Sequence, residues 1–263
     1  MRTVFSLIVP VAAAVAAYTA APPAAAEGAK AQAAAGSTAP VPAEVRARVV
    51  EKLQGAKAED VASSPIAGLY EVTLGGLIVY VSEDGKYLVS GNVYDLETQS
   101  NLTAARRNEA RARTLAAAST SDMIIFSPPD PKMTVTVFTD VDCGFCRKFH
   151  NQMAEINKAG VRVRYMMYPR TGPGTESWRK AESVWCAKDR KEAMTRAKRG
   201  EEVKSPKCDA ASIKAQYELG EDLGLEGTPA IFTESGDYIG GFLTPAQLVK
   251  AISGPGKVAG ASR

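Results

Sequence analysis

Cys143 and Cys146 stand with two residues between them in the stretch VFTDVDCGFCRKFH, residues 137–150. Two thiols at that spacing can hold a metal, close a small structural loop, or exchange electrons with other thiols. Zinc is short of ligands here. The chain has four cysteines and one histidine, His150, and the other cysteines, Cys186 and Cys208, form no second C-x-x-C. No metal and no other cofactor is expected. A structural staple gains little, since a two-residue loop barely restricts the unfolded chain. Electron exchange is the chemistry that suits the spacing.

The flanking residues indicate which thiol reacts. KMTVTVFTDVD is rich in β formers and runs straight into the pair. CGFCRKFHNQMAEINKAG follows as a helix, with Cys146, Phe149, Met153 and Ile156 on one face and Gly160 at its end. A strand entering C-x-x-C at a helix start is the layout of a thioredoxin-like redox site. There Cys143 meets unpaired backbone N–H groups and the positive end of the helix dipole, which favour its thiolate. Cys146, one turn further in and more buried, is suited to resolving mixed disulfides. The reading needs Cys143 to be an ionised, solvent-facing sulfur.

Acidity matters more for leaving than for attacking. Lowering the Cys143 pKa from ~8.5 to ~6 raises its thiolate fraction roughly 30-fold at neutral pH. Nucleophilicity falls with a slope of ~0.4–0.5 and returns most of that, leaving about a two-fold gain. The low pKa mainly makes Cys143 easy to expel, as disulfide shuffling requires.

The elements around the pair follow from periodicity. VRVRYMMYP alternates as a strand, so strand, helix and strand predict a parallel βαβ crossover. After a helical stretch holding both tryptophans, GTPAIFTESGDYIGGF reads as a hairpin turning at Ser235 and Gly236. TPAQLVKAI reads as a final helix capped by Thr244, with Pro245 in its first turn. Upstream, PAEVRARVVEKLQG predicts a helix between Pro42 and Gly55 with Val45, Val49 and Leu53 on one face. GLYEVTLGGLIVYVSEDGKYLVSGNVYDL predicts strands about a turn at SEDG, with KYLVSGNVYDL as one of them. These residues, 42–102, make a small domain whose open edge strand pairing with a second copy would cover. TAARRNEARARTLAAAS, 103–119, reads as a linker helix, and residues 120–263 as the second domain. The fold class is α+β.

Composition narrows the function. With 45% hydrophobic and 23% charged residues the chain is globular, and a net charge of +3 over 263 residues does not suit a nucleic-acid binder. Residues 1–26 combine Arg2, a short apolar run and an A-x-A site at Ala24 to Ala26, the pattern of a cleaved export signal. Residues 27–41 are Ala, Gly and Pro rich and read as a disordered tether. Outside the cytosol thiols tend to oxidise, so four cysteines suggest two disulfides.

Three blocks in order, GLYEVTLGGLIVYVSEDGKYLVSGNVYDLET, FTDVDCGFC and GTPAIF, resemble the exported disulfide isomerases of the DsbC family. The likeness runs from about Pro42 to the C-terminus, with Gly144 and Phe145 where that family usually has Gly-Tyr in the active-site loop. It implies an α+β chain with an N-terminal dimerisation domain and a C-terminal thioredoxin-like domain carrying a helical insertion. It implies a cis Pro229 facing the cysteines, with the Thr228 backbone free to pair with extended substrate. Cys186 and Cys208 match its structural disulfide, which closes a loop of about 23 residues and is worth roughly 3 kcal/mol. The implied activity is isomerisation or reduction of non-native disulfides in exported, misfolded proteins. The implied setting is the periplasm, a V-shaped homodimer, and a membrane reductase of DsbD type as electron donor. Rival activities are a DsbG-like reduction of sulfenylated cysteines and a chaperone-type module with secondary redox chemistry.

The chain also departs from common patterns. Many thioredoxins place a buried acid six positions before the first cysteine, where this chain has Val137. Asp140 and Asp142 read as solvated turn residues, so no proton acceptor is assigned. His150 reads as a helix-surface residue.

Overall fold

The computed structural model describes residues 40–254. The expected leader, 1–26, and the expected tether up to residue 39 lie outside the described residues, as do residues 255–263. Val41, at the end of that tether, packs against the core of the first sheet.

Helix α1 (Ala43–Lys52) starts after Pro42 and buries Val45 and Val49. Gly55 follows at a φ of 87°, a conformation open to glycine, and turns the chain away. β1 (Val61–Ser63), β2 (Leu69–Leu74), β3 (Leu77–Ser82) and β4 (Leu88–Ser90) form an antiparallel sheet in that order. Its core is small and made mostly of valine: Val45, Val49, Val61, Val72, Val79 and Val81 with Ala56. The outer strand β4 is exposed at every residue.

KYLVSGNVYDL does not continue as one strand. It divides into β4 and β5 (Tyr94–Asp95), and β5 pairs with β6 (Ser100–Asn101). The Asp95 carboxylate accepts the backbone N–H groups of Glu97 and Thr98 at 2.9 and 3.1 Å, folding the chain back on itself.

Helix α2 (Leu102–Ala117) is capped by Asn101, whose side chain accepts from the Ala104 N–H. The residues expected to form a linker are packed at both ends. Near its start the Thr103 hydroxyl meets the Tyr80 hydroxyl at 2.5 Å and accepts from the Val93 N–H at 2.8 Å. Near its end Leu115 joins a core that includes Phe138, Tyr168 and Phe232.

The remaining chain builds a second sheet. β8 (Met133–Thr139) and β9 (Val161–Met167) run parallel, from Met133 opposite Val161 to Thr139 opposite Met167. β7 (Ile124–Phe126), β10 (Ala230–Thr233) and β11 (Tyr238–Gly240) join antiparallel, giving the order β11-β10-β8-β9-β7. The crossover is helical, as the periodicity predicts, but the helix breaks at Gln152 into α3 (Gly144–Asn151) and α4 (Met153–Lys158). Cys146, Phe149, Met153 and Ile156 are all buried across the break. α5 (Glu176–Trp185), α6 (Arg190–Lys198) and α7 (Ala211–Asp222) intervene before β10. α8 (Pro245–Ser253) carries the expected Thr244 cap, completed as a capping box by Gln247. The fold is α+β, and β8 aims its C-terminal end at the two cysteines. Among the described residues no helix is long and apolar enough to cross a membrane.

Candidate active site

β8 ends at Thr139, a turn carries Asp140, Val141 and Asp142, and α3 opens with Cys143 as its N-cap. The Cys143 sulfur accepts the Cys146 backbone N–H at 3.4 Å, the use of an orphan donor expected at a helix start. As a thiol it also donates to the Thr228 carbonyl at 3.1 Å. Cys143 and Cys146 are unpaired thiols. The Thr228–Pro229 bond is cis, and its carbonyl is the group nearest the reactive sulfur on that side.

The two thiols are driven apart in acidity. The Cys143 thiol is brought down to about 5, chiefly by a hydrogen bond from the Cys146 side chain. Burial opposes the shift, while the Thr228 side chain, the Cys146 N–H and the charge of Arg170 reinforce it. Cys146, wholly buried, moves the other way, first through burial and then through its bond to Cys143. One sulfur is therefore an anion at neutral pH and its neighbour a thiol that donates to it.

Cys143 is not solvent-facing as expected: only 2% of it is exposed. Its position beneath the Thr228 carbonyl leaves the surface to Gly144 and Phe145, both exposed. A Cβ added at Gly144 would meet nothing within 4 Å beyond its chain neighbours, so the loop is open at this position. The Phe145 ring lies 6.2 Å from that of Phe242 and forms an apolar shoulder beside it.

Asp140 is 2% exposed, not a solvated turn residue. Its carboxylate accepts from Ser177 Oγ at 2.5 Å, the Asp142 N–H at 2.8 Å, and the Arg170 N–H and Nε at 3.1 and 3.0 Å. Burial works to raise its pKa, but those donors outweigh it and hold the carboxyl below its usual range. His150 is buried, not on the helix surface, because α3 lies against α6. Its ring nitrogens meet Tyr165 Oη at 3.3 Å and Thr195 Oγ1 at 3.1 Å. Burial, then the charges of Lys198 and Arg199, bring its pKa down to about 4, so it is neutral at pH 7 and structural. Asp142 does stay half-exposed, paired with Arg147 and Lys180.

Sequence reasoning missed Arg170, Ser177 and Lys198, which reach the turn from segments 30 or more positions away. Arg170 is tied to Asp140 and lends its charge to Cys143. Lys198 donates to Thr139 Oγ1 at 2.7 Å and to the Asp140 carbonyl at 2.8 Å. No local pattern marked any of the three.

Cys186 and Cys208 are disulfide-bonded with Cα atoms 5.5 Å apart. The bond ties the end of α5 to the approach of α7 across the segment that holds α6. Replacing both cysteines by alanine is expected to lower stability by about 3 kcal/mol. Equilibrium unfolding in urea checks this, and an unchanged midpoint would count against it.

Comparison with known proteins agrees with this geometry. Residues 120–253 match the family model described as "Thioredoxin-like domain", and residues 23–104 match the model "Disulfide bond isomerase protein N-terminal domain". The catalytic half is thus a thioredoxin-like thiol-redox domain. The Dickeya dadantii "Thiol:disulfide interchange protein DsbC" is 36% identical over 75% of this chain and 82% of its own length. The Escherichia coli protein of the same name is 34% identical over 74% and 80%. A solved disulfide interchange protein from Neisseria gonorrhoeae is 30% identical, covering 51% of this chain and 96% of its own, with a TM-score of 0.46. The chain belongs to the DsbC family of thiol:disulfide interchange proteins.

Proposed function

We propose that the protein isomerises or reduces non-native disulfides in exported proteins, with Cys143 as nucleophile and Cys146 as resolving thiol. The observation that carries the reading is the split acidity of the pair: an anionic Cys143 at the N-cap of α3, and a neutral, buried Cys146 donating to it. The Cys143 thiolate attacks one sulfur of a mispaired disulfide, and the electron pair of the broken bond leaves on the other. The freed substrate thiolate then attacks elsewhere and finally expels Cys143, unchanged. When a complex stalls, Cys146 attacks the Cys143 sulfur, releases the substrate thiol and leaves the enzyme oxidised. A membrane reductase of DsbD type then restores the dithiol. Substrate lies along Thr228 and Pro229 and over Gly144 and Phe145, which flank the sulfur.

The test is repair of a scrambled multi-disulfide protein by the reduced enzyme, together with alkylation of Cys143 across pH. Repair at substoichiometric enzyme and an alkylation midpoint near pH 5 are expected. A midpoint above about 8, the range of an unperturbed thiol, would contradict the mechanism.

The working unit in this reading is a periplasmic homodimer joined through residues 42–102, with residues 103–119 connecting them to the catalytic domain, 120–263. The leader-like residues 1–26 support export. The exposed edge β4, with Tyr87, Leu88, Val89 and Leu96 all at least 49% exposed, supports pairing with a second copy. Charging that edge by the double change Leu88→Asp and Val89→Asp is expected to weaken the dimer about 30-fold or more, the equivalent of about 2 kcal/mol. Sedimentation reads this directly, and an unaltered dimer would move the interface elsewhere.

A further inference from the structure

We propose that Lys198 is a positioning residue for the resolving step, its ammonium standing as the counter-charge to the thiolate that Cys146 must become. The proposal rests on the interchange reading above and deepens it.

Lys198 is the one lysine among the described residues to be buried, at 2% exposure. Isolated charge in an interior is costly, so such a group needs partners. Two are in place, Thr139 Oγ1 and the Asp140 carbonyl, and they use two of the three donors of an ammonium. Lys198 also closes the last turn of α6, where the helix dipole favours a cation. The Asp140 backbone connects it to the cysteines. The Asp140 carbonyl accepts from Lys198 Nζ at 2.8 Å and from the Cys143 N–H at 3.2 Å, and the Lys198 charge and the Asp140 N–H both favour the ionised form of Cys146. The ammonium is thus held against the turn that leads into the two thiols.

The surroundings set its titration. From α3, Cys146 favours the charge and Arg147 opposes it, and Cys143 and Asp140 also favour it. His150 on α3 and Arg199 at the end of α6 lie in the same neighbourhood, and the Tyr165 ring of β9 has its centroid 5.9 Å from Nζ. α5 and β7 bring apolar groups, Val184, Trp185 and Ile124, to this core. Burial dominates and lowers Lys198 to about 8, leaving it charged at neutral pH.

The step balances as follows. From the mixed disulfide of Cys143 and substrate, Cys146 loses its proton to solvent while Lys198 keeps its own. The Cys146 thiolate forms the bond to Cys143 Sγ, the bond from Cys143 to the substrate sulfur breaks, and the electron pair leaves on that sulfur. The substrate thiolate takes a proton from solvent. The enzyme dithiol is oxidised by two electrons and the substrate disulfide is reduced. The reactive form, thiolate beside ammonium, carries one proton fewer than the resting pair. Its population rises with pH until Lys198 titrates and is constant above that point.

Rapid mixing of the reduced full-length protein with oxidised glutathione separates attack by Cys143 from closure by Cys146. In Lys198→Met, closure at pH 7 is expected to slow by about 100-fold, the lower range for a positioned acid–base group. Attack by Cys143 should change at least tenfold less than closure does. Wild-type closure should climb with pH and level off at the Lys198 midpoint, read separately by side-chain NMR. In Lys198→Met the climb should continue unbroken. Closure in a folded Lys198→Met within about twofold of wild type overturns the proposal. If that variant does not fold, the wild-type profile decides alone: a climb continuing through the Lys198 midpoint overturns it, and a plateau there supports it. Absence of any mixed disulfide on Cys143 in the wild type would instead sink the interchange reading itself.

Discussion

Cys143→Ser is expected to reduce repair of a scrambled multi-disulfide protein to the uncatalysed rate. A serine oxygen forms no disulfide, and nothing nearby can substitute. Cys146 is wholly buried, and both burial and its bond to Cys143 keep it protonated. Losing Cys143 removes the lesser of the two effects that keep Cys146 protonated, but burial, the larger, remains and also keeps the thiol from substrate. Cys146→Ser should differ in kind. Attack and expulsion through Cys143 persist, so isomerisation continues, but stalled complexes cannot close the internal disulfide. Mixed disulfides with substrate should accumulate and be visible as high-mass bands on non-reducing gels. Cys143 should stay acidic, because the serine hydroxyl can donate in place of the Cys146 thiol. Repair by the Cys143→Ser protein at anything near the wild-type rate would remove the mechanism.

The second large effect is expected at Asp140. Its buried carboxylate gathers a hydroxyl, two backbone N–H groups and the Arg170 guanidinium. Asp140→Asn preserves shape but turns an NH2 group toward donors and leaves Arg170 without its partner. Breaking a buried pair costs roughly 3–5 kcal/mol. Arg170 is 44% exposed and recovers hydration, so the low end, about 3 kcal/mol, is expected. In a chain of this size that lowers Tm by about 6–12 °C. The pH dependence has a definite sign. Because the folded carboxyl is held low, its contribution is present above the unfolded value of about 3.9 and is lost as pH falls further through the folded pKa. The wild type should therefore lose stability in acid more steeply than Asp140→Asn does. The variant should also show a less acidic Cys143, since Arg170 is no longer held beside the site. Calorimetry between about pH 2 and 7 with parallel alkylation tests both parts; coincident acid profiles would refute the first.

Much of the site was legible in residue order because it is local. A helix start needs an N-cap with donors behind it, so a strand running into C-x-x-C specifies which cysteine is the anion. Apolar spacing placed Cys146, Phe149, Met153 and Ile156 inside even though the helix breaks at Gln152, because a break of one residue leaves the same face inward. The pairing of Cys186 with Cys208 and the cis bond before Pro229 were expected from family resemblance alone, and both are present. Neither was derivable from spacing.

The polar residues around the thiols were illegible for the opposite reason. Asp140 and His150 look like surface residues in any short window, and Lys198 ends a helix with only weak amphipathic character. Burial of each depends on which element arrives to cover it: Ser177 and Arg170 over Asp140, Thr195 over His150, and Thr139 and the Asp140 carbonyl around Lys198. The same is true of Cys143, covered by a carbonyl 85 positions away.

The amino-acid order by itself determined the redox pair, its polarity along the helix, and the strand-helix-strand unit that presents it. These depend on backbone donors and on hydrophobic periods of a few residues. Tertiary structure alone decided the charges that surround the pair: the buried Asp140 that holds Arg170, the neutral His150, and the enclosed ammonium of Lys198. Coulomb interactions and desolvation act through space, so their strength follows the distance and depth set by folding.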